Sequence, residues 1–147
     1  MVSNLYVYFA ATTDGAAAAV ADSTDGPVAD EHPVVEGVDP VVQGATLLSL
    51  INGRPYDEIT SDPAWARLVS SPDALDAWVV SLPDGFTAAL ADSSELELTR
   101  VAGPWSETEE FWGAVAAEDL IPMLQELRKL AVGVRGTDAA LYCWISL

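Results

Sequence analysis

Two segments near the ends of the chain are apolar at nearly every position, Leu5–Ala10 and Leu141–Ser146. Both are rich in aromatic and β-branched residues, a pattern typical of strands that are buried on both faces. A third run, Ala77–Leu82, has the same character and stops at Pro83, which disfavours a helical conformation in the residue before it. We predict three strands and expect the first and the last to pair.

Between these strands, apolar residues recur about one helical turn apart over much of the sequence. An Asp39-Pro40 step followed by apolar residues one turn apart predicts a helix from Pro40 to Asn52 that ends at Gly53. Gly103-Pro104 should break the chain between two capping-box patterns. The other predicted helices are Ala16–Ala21 capped by Asp14, a short one after Asp62-Pro63 that contains Trp65, Leu68 and Val69, Phe86–Asp92, and those opened by Ser94, Ser106 and Asp119.

The longest of these helices follows Asp119 and carries one continuous apolar face. The face comprises Leu120, Leu124, Leu127, Ala131 and Val134. Gly136 should end the helix. Ser23–Pro33 is polar and predicts a loop. With 147 residues, the chain fits one domain over residues 1–147. We predict an α+β fold: a small sheet that includes the N- and C-terminal strands, covered by five or six helices.

Acidic residues outnumber basic ones by 23 to 6, which gives a net charge of −17. Unaided binding to nucleic acid needs Lys and Arg to neutralise phosphates, so this class is excluded, as is attraction to anionic membranes. The remaining explanations for the acidity are solubility combined with coding bias, adaptation to salt, and a cationic partner. No apolar run approaches the length of a membrane span.

The cysteine content and the N-terminus predict a cytoplasmic protein. Cys143 is the single cysteine, so no internal disulfide can form, and the sequence offers no Cys/His cluster for zinc. The first residues resemble no secretory signal. Cys143 lies between Tyr142 and Trp144 in an apolar strand, which predicts a buried, inert thiol. The sequence does not predict an oligomeric state.

Motifs for common enzyme chemistry are missing together. The sequence contains no Walker-type phosphate loop, no GxGxxG and no GxSxG. His32 is the only imidazole and lies in the predicted loop. We therefore predict no catalytic residue, no cofactor and no metal ligand, and we favour a non-enzymatic function.

One segment combines aromatic and acidic residues around a predicted helix start. Its candidate binding residues are Trp105, Glu107, Glu109, Glu110 and Trp112. An indole ring beside carboxylates would suit a cationic group, such as an Arg or Lys of a basic protein partner. This pattern predicts a binding protein of the immunity or regulatory kind. The alternative is a small-molecule-binding or carboxylate-dependent hydrolase domain with a pocket near Trp105, Glu109 and Glu110.

Several short blocks resemble a group of small, acidic, uncharacterised bacterial proteins. The blocks are Tyr6-Val7-Tyr8-Phe9-Ala10, Val38-Asp39-Pro40-Val41-Val42-Gln43, Gly53-Arg54-Pro55-Tyr56-Asp57-Glu58, Pro104-Trp105-Ser106 with Glu109-Glu110, and Leu141-Tyr142-Cys143-Trp144. The order of elements from Leu47 to the final strand is also distantly similar to YfbM-like domains of unknown function. This resemblance implies an α+β domain and carries over no catalytic residue.

The excess of carboxylates predicts a stability that rises with ionic strength. Moderate salt screens repulsion between like charges on the surface, so added NaCl should raise the melting temperature at neutral pH. Calorimetry over a salt series would measure the effect, and the same series at pH 4, where carboxylates are partly protonated, is the control. A melting temperature that falls with salt would contradict this prediction.

Overall fold

Residues 5–22, 26–27, 34–74, 76–111 and 115–146 are described by a computed structural model. Within them one antiparallel sheet of five strands has the spatial order β2-β1-β5-β4-β3. The strands are β1 (Leu5–Ala11), β2 (Val34–Gly37), β3 (Arg67–Leu68), β4 (Ala77–Ser81) and β5 (Ala140–Ser146).

Six helices accompany this sheet in the described part of the chain. They are α1 (Asp14–Val20), α2 (Gln43–Asn52), α3 (Tyr56–Thr60), α4 (Asp84–Asp92), α5 (Glu95–Ser106) and α6 (Ala117–Val134), and a 3₁₀ turn spans Glu109–Phe111. The predicted α+β class is therefore confirmed.

The first and last strands pair along their full length, with Leu5 opposite Ser146 and Ala11 opposite Ala140. Alternate side chains of each strand point to opposite faces. On one face Tyr8 and Cys143 join the main core beneath α2, α4, α5 and α6. On the other face Phe9 packs in a smaller core with residues of α1. Both faces are covered, as the apolar character of the two strands predicted.

The predicted apolar face of the longest helix is confirmed. All five of its residues are buried in the main core, and Gly136 follows the helix with a φ of 76°. The start of α6 differs from the prediction, because the N-cap is Ala116 and Asp119 lies inside the first turn. A carboxylate there still interacts favourably with the helix dipole.

Two other helix starts shift for reasons visible in the hydrogen bonds. The carboxylate of Asp39 accepts from the backbone N–H groups of Val41 and Val42, so it holds a turn that precedes α2. In α1 the cap is the hydroxyl of Thr13, which accepts from the N–H of Ala16, while Asp14 is the first helical residue.

The helix predicted after Asp62-Pro63 is wrong. Trp65 lies in a turn, its indole N–H donates to the carbonyl of Val41 at 3.1 Å, and its ring packs edge-on against Phe86. The chain then continues as β3 against β4. Anchoring of this ring in the core overrides the local helical signal.

The break predicted at Gly103-Pro104 is also wrong. The capping box at Ser94 forms as expected, but α5 continues through Pro104 to Ser106. The Ser106 hydroxyl donates to the carbonyl of Gly103, so it completes the last turn of α5 and does not open a new helix. Only the 3₁₀ turn follows. The predicted loop at Ser23–Pro33, with His32, lies almost wholly outside the described residues.

A close contact on the smaller face generates a stability prediction. Gly26 has a φ of +74°, and a Cβ atom there would lie 2.8 Å from the ring of Trp144. Gly53 has a nearly equal φ of +76° but no atom within 4 Å of such a Cβ. Gly53→Ala should therefore cost about 1 kcal/mol from backbone strain alone, and Gly26→Ala about 2–4 kcal/mol because overpacking is added. Urea unfolding compares the two variants, and equal costs would contradict the contact.

Candidate functional site

Trp105 is a core residue. Its side chain is 0% exposed, its indole N–H donates to the carbonyl of Gln43 at 3.0 Å, and Phe111 packs edge-on against the ring at 5.2 Å. The expectation that this ring contacts a cationic group of a partner is therefore wrong. An indole N–H needs a partner when it is buried, and the Gln43 carbonyl supplies one inside the core.

The described acidic residues of the same segment are exposed, unlike the ring. Glu107 and Glu109 are exposed on the segment that follows α5. Trp112 and the side chain of Glu110 lie outside what the structure describes. The structure therefore does not bring Trp105 and its neighbouring carboxylates together as the walls of a pocket.

Five exposed carboxylates instead lie toward one end of the sheet, which we call the acidic end. Its members are all exposed: Glu36, Glu107, Glu109, Glu118 and Asp119. They are carried by elements in mutual contact. Gly37 of β2 lies so close to α6 that a Cβ atom would be 3.0 Å from the Met123 sulfur. The preceding residue, Glu36, is opposite Val7 and points to the other face of the sheet. Trp105 ties the end of α5 to the start of α2.

Basic residues are absent from the sequence around the acidic end. No Lys or Arg occurs in residues 1–53 or in residues 101–127, which between them contain all five carboxylates. Four ion pairs join described residues: Arg54–Glu58, Arg67–Asp14, Lys129–Glu126 and Arg135–Asp92. None of them involves the acidic end, so its charge is not compensated by these pairs.

Four adjoining cavities with described walls lie at the opposite end of the sheet, where β1 and β4 finish and β5 begins. Their volumes are about 590, 260, 380 and 120 Å³. Successive cavities share lining residues: Val134 for the first two, Asp84 for the second and third, and Pro83 for the third and fourth. We call this the cavity end, and it lies roughly 15–20 Å along β1 from the acidic end.

Four of the six basic residues line these cavities, one in each. Lys129 lines the largest, followed by Arg135, Arg67 and Arg54. Cations therefore gather at the cavity end, where each of the four forms an ion pair with a carboxylate. The five carboxylates of the acidic end have no such pair among the described residues.

A polar network that the sequence did not predict lies in the third cavity. Asp14 accepts two hydrogen bonds of 2.8 Å, one from the guanidinium of Arg67 and one from the hydroxyl of Tyr142. The bond from Arg67 lowers the pKa of Asp14, and burial together with Asp14 raises the pKa of Tyr142 to about 12. At neutral pH the aspartate is charged and the tyrosine protonated, so the network ties α1 to β3 and β5. Its members are 53 and 128 residues apart, and no sequence signal links them.

The single cysteine is buried as predicted, and burial raises the pKa of the Cys143 thiol well above its usual value. The described part of the chain contains no group of three His, Cys, Asp or Glu residues that could hold a metal ion. Among its helices, none is long and apolar enough to cross a membrane.

Comparison with protein families finds no match for the chain, and comparisons with curated proteins and with solved structures find no similar one. The resemblance to YfbM-like domains stays a prediction.

The burial of Trp105 generates a prediction that separates a core role from a surface role. Trp105→Ala should lower the free energy of unfolding by about 3–5 kcal/mol, because it empties a large core volume and removes the hydrogen bond to the Gln43 carbonyl. Glu109→Gln, four residues away and exposed, should change it by less than about 0.5 kcal/mol. Urea unfolding measures both. Near-equal small effects would show that the ring is not structural.

Proposed function

We propose that the chain is a non-enzymatic binding protein whose acidic end docks onto a basic protein partner. The observation that carries the proposal is the group of five exposed carboxylates on contacting elements, without an ion pair among them. Complementary charge steers encounter and selects partners, and carboxylates that are free of internal partners are available for this purpose.

Burial of Trp105 changes how such a partner would be held. A ring with no exposed surface cannot contact the partner, so it fixes the surface from beneath by joining α5 to α2. The proposed contact is then dominated by charge. Association rates that fall with ionic strength are the expected signature of such an interface.

The alternative pocket near Trp105, Glu109 and Glu110 receives no support from the described geometry. The cavities with described walls lie at the other end of the sheet. Glu109 is an exposed residue of the 3₁₀ turn and lines none of these cavities.

The test is affinity capture from an extract of cells that express the protein, with three baits compared. The first is the wild type, and the second carries Glu36→Lys, Glu107→Lys and Glu109→Lys at the acidic end. The third is a control with the same change in net charge, made at exposed carboxylates elsewhere: Asp73→Lys, Asp76→Lys and Asp138→Lys. Thermal unfolding first verifies that all three baits fold.

The expected result is a basic protein retained by the wild type and by the control variant, with affinity for the acidic-end variant reduced about tenfold or more. The difference should shrink as salt is added. Equal retention by the acidic-end variant would overturn the proposal. So would equal loss in both variants, because net charge alone would then explain binding.

A further inference from the structure

The largest cavity at the cavity end, of about 590 Å³, lies between α1, the second half of α6 and the end of β1. Its volume falls within the range of small-molecule sites. Its walls are formed mainly by small apolar residues, among them Ala10, Ala16, Gly133 and Ala139. We call it the α1–α6 cavity.

Gly133 is a helical residue that packing does not explain. It lies in the last turn of α6, where glycine costs about 1 kcal/mol relative to alanine. Its φ is not positive, and a Cβ atom there would meet nothing within 4 Å. A larger side chain would be tolerated by the helix and would extend into open space. Because Gly133 lines the cavity, a side chain at this position would occupy part of its volume.

The charge on the cavity wall is opposite to that of the whole molecule. The chain has 23 acidic residues, yet no carboxylate belongs to the described lining of this cavity. Lys129, the only lysine of the chain, lines it. The ammonium group pairs with Glu126 at 3.1 Å, but both side chains are more than half exposed. Such a pair contributes little stability, so a ligand can replace Glu126 at small cost.

Thr12 and Thr137 add hydroxyl groups to the lining. The hydroxyl of Thr137 is engaged, since it donates to the carbonyl of Val134 and accepts from the N–H of Ala139. Thr12 lies at the end of β1 and is exposed. An anionic group at Lys129 could therefore accept a second hydrogen bond from the hydroxyl of Thr12.

We infer that the α1–α6 cavity binds a medium-chain fatty acid. The apolar chain lies against the small residues, where it removes apolar surface from water. The carboxylate is held by the ammonium of Lys129. This ligand class matches both properties of the cavity, its apolar walls and its single cation, whose ion-pair partner Glu126 lies outside the lining.

The test uses decanoate as the probe and decanol as its uncharged counterpart, with binding followed by calorimetry on the intact chain. Decanoate should bind with a Kd on the order of 100 µM, and at least about tenfold more tightly than decanol. Lys129→Gln should bring the two affinities within about twofold of each other. Absence of decanoate binding, or discrimination that survives Lys129→Gln, would overturn the inference.

Two variants test the location by filling the cavity from different walls, Gly133→Leu from α6 and Ala16→Leu from α1. Each should weaken decanoate binding by about tenfold or more. Val132→Leu adds volume on the adjacent, exposed position of α6, outside the lining, and should leave binding unchanged. Circular dichroism verifies folding of each variant. Undiminished binding in the folded cavity-filling variants would place decanoate elsewhere and refute the assignment.

Discussion

The pairing of β1 with β5 is the contact on which the remaining architecture depends. These two strands form the centre of the sheet, and every other strand is added to one of them directly or through β4. Both strands are apolar on both faces, so the pair is stable in water only if layers cover it on each side. The main layer of α2, α4, α5 and α6 meets this need on one face, and α1 contributes to it on the other.

The elements that the sequence predicted well are those whose signal is local. Gly53 ends α2 with a left-handed conformation, and the Ser94 capping box closes on Glu97 within three residues. Errors arose where a distant contact decided the outcome. The indole of Trp65 is bound to a carbonyl 24 residues away, and that of Trp105 to one 62 residues away. Neither partner can be identified from spacing, so both rings were assigned to local patterns.

For the candidate sites too, local signals and composition predicted only part of what the structure shows. Composition alone gives the excess of carboxylates. Where the carboxylates and the cations lie relative to each other depends on which elements the fold brings together. β2 is only four residues long and has no clear sequence signal, yet it carries Glu36 to the acidic end. The α1–α6 cavity is formed by residues from β1, α1, α6 and the start of β5. A cavity between segments so far apart in the sequence cannot be predicted from residue spacing.

The central strand pair also sets a condition on how the chain folds during synthesis. Leu5 is opposite Ser146, so β1 cannot reach its partner until almost the whole of the described chain has left the ribosome. At usual rates of translation, this delay is on the order of ten seconds. Throughout that interval the edge of β1 that later pairs with β5 is unpaired. Unpaired apolar strands favour aggregation, so transient pairing with β2 or binding to a chaperone would protect the nascent chain.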